Sequence, residues 1–157
     1  MLTLLGYTLL TLALLVSTYL AFRPEASSDP LVRTTSMAAQ SSPFLFLVAA
    51  FLIEATTLDL VSRYVGEGLP LSYRISAVWG SRSGPLLMWA SMMGVITWVM
   101  SRDNKLDSTT IRIMHSWTAI LLLVASVLRP FSPADSGSSG EISPLLQTDL
   151  MVIHPPV

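Results

Sequence analysis

The sequence has few charged residues and no cysteine. Lysine, arginine, aspartate and glutamate together make up 12% of its 157 residues, against roughly 25% in an average soluble domain. So few charges cannot cover the surface of a water-soluble fold of this size. The absence of cysteine excludes disulfides, thiolate metal sites and thiol chemistry within this chain. A formal net charge of −1 gives no electrostatic reason to expect a nucleic acid as partner.

Hydrophobic residues make up 52% of the chain and are gathered in four uncharged runs. A hydrocarbon core about 30 Å thick needs roughly 20 apolar residues per helix. The first run has no basic residue before it and no small-x-small cleavage site after it, so we interpret it as a retained span rather than a signal peptide. We therefore predict an all-α, polytopic membrane helix bundle, a single domain with about four transmembrane helices. The predicted spans are residues 1–22, 34–53, 84–100 and 113–128.

The polar segments between the predicted spans alternate between the two membrane faces. Residues 23–33 and 101–112 fall on one side, and residues 54–83 and 129–157 on the other. The 101–112 segment carries three basic residues in twelve positions. The positive-inside rule therefore places that side in the cytoplasm or matrix, and the two longer segments in the outer compartment.

The two histidines lie in different sequence contexts. His115 lies near the inner end of the fourth span, where a histidine typically makes a polar contact at the interface or between helices. His154 closes an apolar stretch in the outer-face segment 132–157 and precedes Pro155-Pro156. Because the two prolines stiffen this segment, its imidazole could be held at the membrane surface as a ligand of a metal or porphyrin iron. A lone histidine at an interfacial turn without a ligand is the alternative.

Three further charged residues follow the second span. Glu54 comes directly after an uncharged run of twenty residues, which favours a position at the outer interface. A glutamate at mid-bilayer would instead suggest a proton or ion path. Asp59 and Arg63 are four residues apart and could form an ion pair on one helical turn.

The segment 69–89, just before the third span, has an unusual concentration of aromatic and arginine side chains. One interpretation is an aromatic belt at the membrane interface with arginines that extend to water. The other is a surface that stacks on a flat ligand and binds its carboxylates through arginine. Composition does not decide between them. The residues concerned are Tyr73, Arg74, Trp79, Arg82 and Trp89.

Two motifs resemble the N-terminal part of CcmF and its relative NrfE, membrane proteins of cytochrome c maturation. Residues 69–89 read L-P-L-S-Y-R-I-S-A-V-W-G-S-R-S-G-P-L-L-M-W, where the family has approximately L-P-x-x-Y-R-x-x-A-x-W-G-x-x-E-G-S-L-L-L-W. Residues 142–156 read I-S-P-L-L-Q-T-D-L-M-V-I-H-P-P, where the family has L-N-P-L-L-Q-D-x-G-L-x-x-H-P-P. Residues 58–65 extend the first motif. The order of the motifs and the two spans between them also fit.

The chain departs from the family pattern in several places. Ser83 replaces the family's acidic residue, Pro85 replaces the following serine, and the family's glycine is missing around residues 148–150. The tryptophan-rich W-W-D loop of the family, a second outer histidine and two intramembrane heme-binding histidines have no counterpart in this sequence. The resemblance therefore implies either a split gene whose second polypeptide carries them, or a truncated fragment.

The resemblance implies a role in handling heme. In the family, heme from a chaperone is held under the tryptophan-rich loop by two outer histidines and is joined through its vinyl groups to the thiols of C-x-x-C-H in apocytochrome c. His154 matches the first of these histidines, which makes it the expected axial ligand of heme iron. The candidate lining residues of this cofactor site are Tyr73, Arg74, Trp79 and Trp89, and no catalytic residue is assigned.

The expected function is that of the N-terminal subunit of a split cytochrome c heme lyase, without a complete active site of its own. Its expected partners are membrane lipid, a CcmF-type polypeptide with the W-W-D loop, a heme chaperone and apocytochrome c. The membrane is expected to be the bacterial plasma membrane or the mitochondrial inner membrane. One alternative is a structural subunit of a respiratory complex that retains this ancestry without heme chemistry. A third reading is an ion-translocating subunit that uses Glu54.

Overall fold

The computed structural model describes residues 1–65, 70–102 and 106–135. This part of the chain consists of six α-helices and one short 3-10 helix, and His154 lies outside it. The 3-10 helix, Pro24–Ser28, follows the first α-helix. The α-helices are α1 (Leu2–Phe22), α2 (Pro30–Leu52), α3 (Asp59–Tyr64), α4 (Leu71–Gly80), α5 (Ser83–Met100) and α6 (Ser108–Val127).

Four of these helices, α1, α2, α5 and α6, are long and apolar enough to cross a membrane. They contain 21, 23, 18 and 20 residues, which at about 1.5 Å per residue gives each a length close to the hydrocarbon thickness. The prediction of an all-α protein with four membrane helices is confirmed.

Two of the spanning helices begin before their uncharged runs because an aspartate caps them. The Asp29 carboxylate accepts a hydrogen bond from the Leu31 backbone N–H at 2.7 Å, so α2 starts at Pro30. The Asp107 carboxylate accepts the backbone N–H groups of Thr109 and Thr110, at 3.1 and 3.2 Å, so α6 starts at Ser108. Such caps satisfy N–H groups that a first helical turn leaves without partners. The hydrogen bonds from Thr110 hold the pKa of Asp107 below its usual range.

The four spanning helices form a closed bundle in which each packs against two others. Helix α1 contacts α2 and α6, and α5 contacts the same two helices from the other side. The interior combines an apolar core with several buried polar side chains, and small residues let the helices approach closely. Its fully buried members include Leu10, Ala13, Leu47, Ala50, Leu87, Ala90, Leu122 and Ala125.

Helices α3 and α4 lie at one end of this bundle, and the chain after α6 returns to them. We call this end, residues 53–65, 70–82 and 128–135, the α4 end. The Asp59 N–H donates to the Ser132 carbonyl and the Ala134 N–H to the Thr57 carbonyl, both at 2.9 Å. These two bonds join the segment after α6 to the start of α3, so the described parts of the two long polar segments lie at the same end of the bundle, as four crossings require.

Phe131 anchors this returning segment in the bundle. Its side chain is fully buried, and its ring packs edge to face against Tyr7 of α1 and Phe46 of α2, with centroids 5.9 and 5.4 Å apart. A Cβ added to Gly6 would lie 2.4 Å from the Phe131 ring. The glycine therefore makes room for the ring, and the segment is packed against α1 and α2 as well as hydrogen-bonded to residues 57–59.

Single cysteines introduced into this cysteine-free chain should show on which side of the membrane each polar segment lies. We expect Thr56→Cys and Asp135→Cys to react with a membrane-impermeant maleimide from the outer side of intact cells, and Glu25→Cys to react only after the membrane is opened. Labelling of Thr56→Cys and Asp135→Cys from opposite sides would contradict the bundle. Labelling of both from the inner side alone would agree with the bundle but would show that its orientation in the membrane is the reverse of the predicted one.

Candidate functional site

A tight corner between α4 and α5 fixes the position of the segment that carries the predicted lining residues. The Ser81 hydroxyl donates to the Val78 carbonyl and accepts the Gly84 N–H, each at 2.9 Å. A Cβ on residue 84 would lie 1.8 Å from the Val78 carbonyl oxygen, which no side chain can tolerate. Glycine is therefore required there. The corner keeps this glycine although Ser83 and Pro85, on either side of it, depart from the family pattern.

Arg74, in the first turn of α4, forms an ion pair with Glu54. The Arg74 Nη2 atom lies 2.5 Å from Glu54 Oε1, and the two side chains are 25% and 38% exposed. Glu54 follows Ile53, the C-cap of α2, and has a φ of 52°, a left-handed conformation common just after a helix end. Glu54 thus lies at the α4 end, as the interfacial interpretation expects, and ties α2 to α4.

Trp79, near the end of α4, stacks on Phe44 of α2. Their ring centroids are 6.3 Å apart and the ring planes differ by 25°. Trp79 is half-buried. The buried face of α4, formed by Ser76, Ala77 and Val78, packs into the bundle. Helix α4 is consequently held against α2 by an aromatic stack near its end and an ion pair near its start.

The four predicted lining residues do not form one continuous surface. Tyr73 and Arg74 are neighbours, but Trp79 lies about 140° around α4 from Arg74, because each helical residue advances about 100°. Trp89 lies on α5, where its side chain is 53% exposed on the outside of the bundle. Tyr73, Arg74 and Trp79 are thus all half-buried on α4 but lie on different sides of it, and Trp89 lies apart on α5.

The predicted pair of Asp59 and Arg63 is confirmed on α3. The Arg63 Nε atom lies 2.9 Å from each of the two Asp59 carboxylate oxygens. Hydrogen bonding to this carboxylate, together with its charge, raises the pKa of Arg63. Both groups lie at the surface of the α4 end, where exposed pairs contribute little to stability.

His115 makes polar contacts between helices, as expected from its position. Its Nδ1 atom lies 3.1 Å from Gln40 Nε2 on α2, and its Nε2 atom lies 3.2 Å from Ser27 Oγ. Gln40 Nε2 also donates to Ser17 Oγ of α1 at 3.1 Å. An amide nitrogen can only donate, so His115 Nδ1 accepts and the ring proton is on Nε2, facing Ser27. We call Ser17, Ser27, Gln40 and His115 the interior polar cluster.

The remaining spanning helix, α5, meets this cluster through a glycine. A Cβ on Gly94 of α5 would lie 2.7 Å from Gln40 Oε1, so only glycine lets the amide lie against α5. Gln40 is 1% exposed and His115 is 2% exposed. The sequence analysis did not single out Gln40. The available signal was its place as an amide in the second uncharged run, since such a side chain in a membrane interior needs a partner.

Neither a metal cluster nor a free imidazole occurs in the described ranges. Residues 1–65, 70–102 and 106–135 contain no group of three or more histidine, cysteine or carboxylate side chains able to hold a metal ion. His115 is enclosed and both its ring nitrogens have polar partners. The other histidine, His154, lies outside these ranges.

Comparison with known proteins identifies the relatives of this chain. The CcmF protein of Escherichia coli is 32% identical over 123 residues, a match that covers 73% of this chain. The chain is a homologue of the CcmF-type proteins of cytochrome c biogenesis. The CcmF protein of Haemophilus influenzae is 28% identical over an alignment 172 positions long, which covers 98% of the chain. A probable NrfE protein of Escherichia coli is 27% identical over 124 residues, 73% of the chain.

The chain spans only part of these relatives. The matches cover 19% of the Escherichia coli CcmF protein, 26% of the Haemophilus influenzae protein and 22% of NrfE. No family model matches the chain, and no solved structure matches it either. The resemblance to CcmF and NrfE expected from the two motifs is confirmed, and with the four spanning helices it makes the chain a multi-pass membrane protein.

Replacing Gly84 should disrupt the corner far more than replacing Gly94. Gly84→Ala places a methyl group against a backbone oxygen that cannot move aside, so we expect little folded protein after detergent extraction. Gly94→Ala meets the far end of the Gln40 side chain, which can rotate, so the bundle should survive with a lowered unfolding temperature. Size-exclusion profiles and thermal unfolding of both variants check this. Equal yields of folded protein for the two variants would contradict this prediction.

Gln40→Ala should destabilise the bundle by about 1 to 2 kcal/mol. The change removes two hydrogen bonds between helices, which contribute roughly 0.6 kcal/mol each on average in membrane proteins and at most about 1.7. It also leaves His115 Nδ1 without its donor. Unfolding in mixed detergent micelles measures the free energy. Thr8→Ala is the control, because its exposed hydroxyl bonds only within α1. Equal stability of the two variants would mean that the interior polar cluster contributes nothing.

Proposed function

We propose that this chain acts in cytochrome c maturation, as the subunit of a heme lyase that helps to hold heme at the outer membrane face. The observation that carries the proposal is the 32% identity with the Escherichia coli CcmF protein over most of the chain. Relatives named CcmF, NrfE and CycK are all described as cytochrome c-type biogenesis proteins, and this agreement supports the general role.

The proposed subunit works with other polypeptides. The chain spans about a fifth of the CcmF relatives, and its sequence lacks the W-W-D loop and the second outer histidine of the family pattern. We expect a CcmF-type partner polypeptide to supply both. A heme chaperone would deliver the heme, and apocytochrome c would receive it. A bacterial plasma membrane or mitochondrial inner membrane is the expected location.

His154 is the proposed axial ligand of the heme iron. Imidazole nitrogen is a common ligand of heme iron, and the chain has two histidines. His115 is a poor candidate, because Gln40 and Ser27 contact its two ring nitrogens. It also precedes the end of α6 by twelve residues, about 18 Å of helix. His154 belongs to the H-P-P motif and follows the segment that reaches the α4 end at residue 135.

Some of the described residues at the α4 end are suited to bind a flat ligand that carries carboxylates. Bound heme would supply the vinyl groups to which the cytochrome thiols add. Arg74 could bind a propionate, since a guanidinium pairs equally well with another carboxylate, and Glu54 would then lose its partner. Trp79 and Tyr73 are the proposed aromatic neighbours on α4. Trp89, exposed on α5, is a weaker lining candidate because it lies apart from these three.

The decisive experiment compares the two histidines in the complex of this chain with its partner. We expect His154→Ala to lose or shift the absorbance of the transferable heme and to stop cytochrome c maturation. His115→Ala should lower the stability of the bundle but leave the heme content per folded complex nearly unchanged. Absorbance spectra normalised to folded protein, with cytochrome c yield in cells, measure both effects.

Two outcomes would contradict the proposal. Full heme content and normal maturation in His154→Ala would remove the ligand assignment. Loss of heme only in His115→Ala would mean that the interior polar cluster, and not the H-P-P motif, serves the cofactor. If the chain instead co-purifies with a respiratory enzyme and no CcmF-type partner is encoded with it, the structural role would replace the heme lyase role.

A further inference from the structure

A groove runs between α1 and α6 at the end of the bundle opposite to the α4 end. It encloses about 290 Å³ and lies on the outside of the bundle. The groove has room because the facing residues Ala21, Ser116 and Ala119 are small. Its other walls include Phe22 of α1 and Arg112 and Ile120 of α6.

The groove is polar at one end and apolar along its length. Arg112 lies in the second turn of α6, and Ile120 lies eight residues further along the same helix, about 12 Å deeper in the bundle's membrane-spanning part. Between them, the Ser116 hydroxyl is used within the helix, because it donates to the Arg112 carbonyl at 2.8 Å. The wall below Arg112 therefore offers mainly methyl, methylene and ring surface.

Arg112 differs from the other arginines at this end of the described chain. The Arg33 guanidinium donates to the Ser101 carbonyl at 2.6 Å. Arg102 lies over the Trp98 ring at 4.3 Å, and Arg23 lies 3.7 Å from the Glu25 carboxylate. Arg112 is exposed, and none of the described residues supplies a carboxylate or hydrogen-bond acceptor to its guanidinium.

We propose that this groove binds an anionic phospholipid, with the phosphate at Arg112 and one acyl chain along Ala119 and Ile120. A guanidinium binds phosphate through two parallel hydrogen bonds, and an acyl chain fits an apolar groove between helices. Arg112 lies at the membrane surface and the apolar part of the groove lies deeper, which matches the order of headgroup and acyl chain in a lipid. The positive-inside rule places this end on the cytoplasmic or matrix side, where anionic lipids are attracted by basic residues.

This inference goes beyond the proposed heme function and does not depend on it. The test uses the purified chain in mild detergent, with phosphatidylglycerol or phosphatidylcholine added. We expect phosphatidylglycerol to remain bound in native mass spectra and to raise the unfolding temperature, and phosphatidylcholine to do neither. Arg112→Gln should weaken phosphatidylglycerol binding about fivefold. Arg23→Gln is the matched control at the same end and should leave the binding unchanged.

A second variant tests the groove itself. Ala119→Leu fills the groove without changing any charge, and it should weaken phosphatidylglycerol binding although Arg112 is intact. Equal binding of the lipid by Arg112→Gln and the unaltered chain would overturn the proposal. Stabilisation by inorganic phosphate to the same extent would replace it with a free-anion site. Loss of binding in Arg112→Gln together with full binding in Ala119→Leu would replace it with a headgroup contact at the surface.

Discussion

The hydrogen bond between Gln40 and His115 joins α2 to α6 and helps to fix how the spanning helices are rotated against one another. In a bilayer, apolar side chains gain almost nothing by leaving lipid for one another, so packing and polar contacts decide which helices meet. Gln40 reaches His115 on α6 and Ser17 on α1, and its amide lies against Gly94 of α5. All four spanning helices therefore meet at one amide. A different rotation of α1, α2 or α6 would separate these polar partners, at a cost of roughly 0.6 kcal/mol per hydrogen bond on average.

The α4 end depends on this arrangement, because its contacts connect helices that the interior polar cluster has already placed. The Glu54–Arg74 ion pair and the Phe44–Trp79 stack join α4 to α2. The Ser81–Gly84 corner joins α4 to α5, and Phe131 binds the returning segment to α1 and α2. Helix α4, with ten residues too short to cross a membrane, is thereby held by both of its neighbours, as the proposed cofactor surface would require.

The two ends of the bundle have different chemistry. The α4 end combines an ion pair, aromatic rings and the start of the segment that leads to His154, and it belongs to the proposed heme function. The opposite end carries four arginines among the described residues, three of which already have protein or ring partners. Only Arg112 faces outward above an apolar groove. The α4 end is thus the site of the proposed heme function, and the opposite end is the proposed lipid site.

The sequence by itself determined the number of spanning helices and the relationship to CcmF. The first depends on the uncharged runs, and the second depends on two motifs and their order along the chain. The sequence also predicted Tyr73, Arg74, Trp79 and Trp89 as candidate lining residues, and His115 as a polar contact. Only the tertiary structure decided which side chains share a surface. The pairing of Arg74 with Glu54, the stacking of Trp79 on Phe44, the separation of Trp89 and the meeting of four helices at Gln40 all depend on how the helices are rotated about their axes. That rotation is set by contacts between residues far apart in the chain, which neither composition nor local spacing contains.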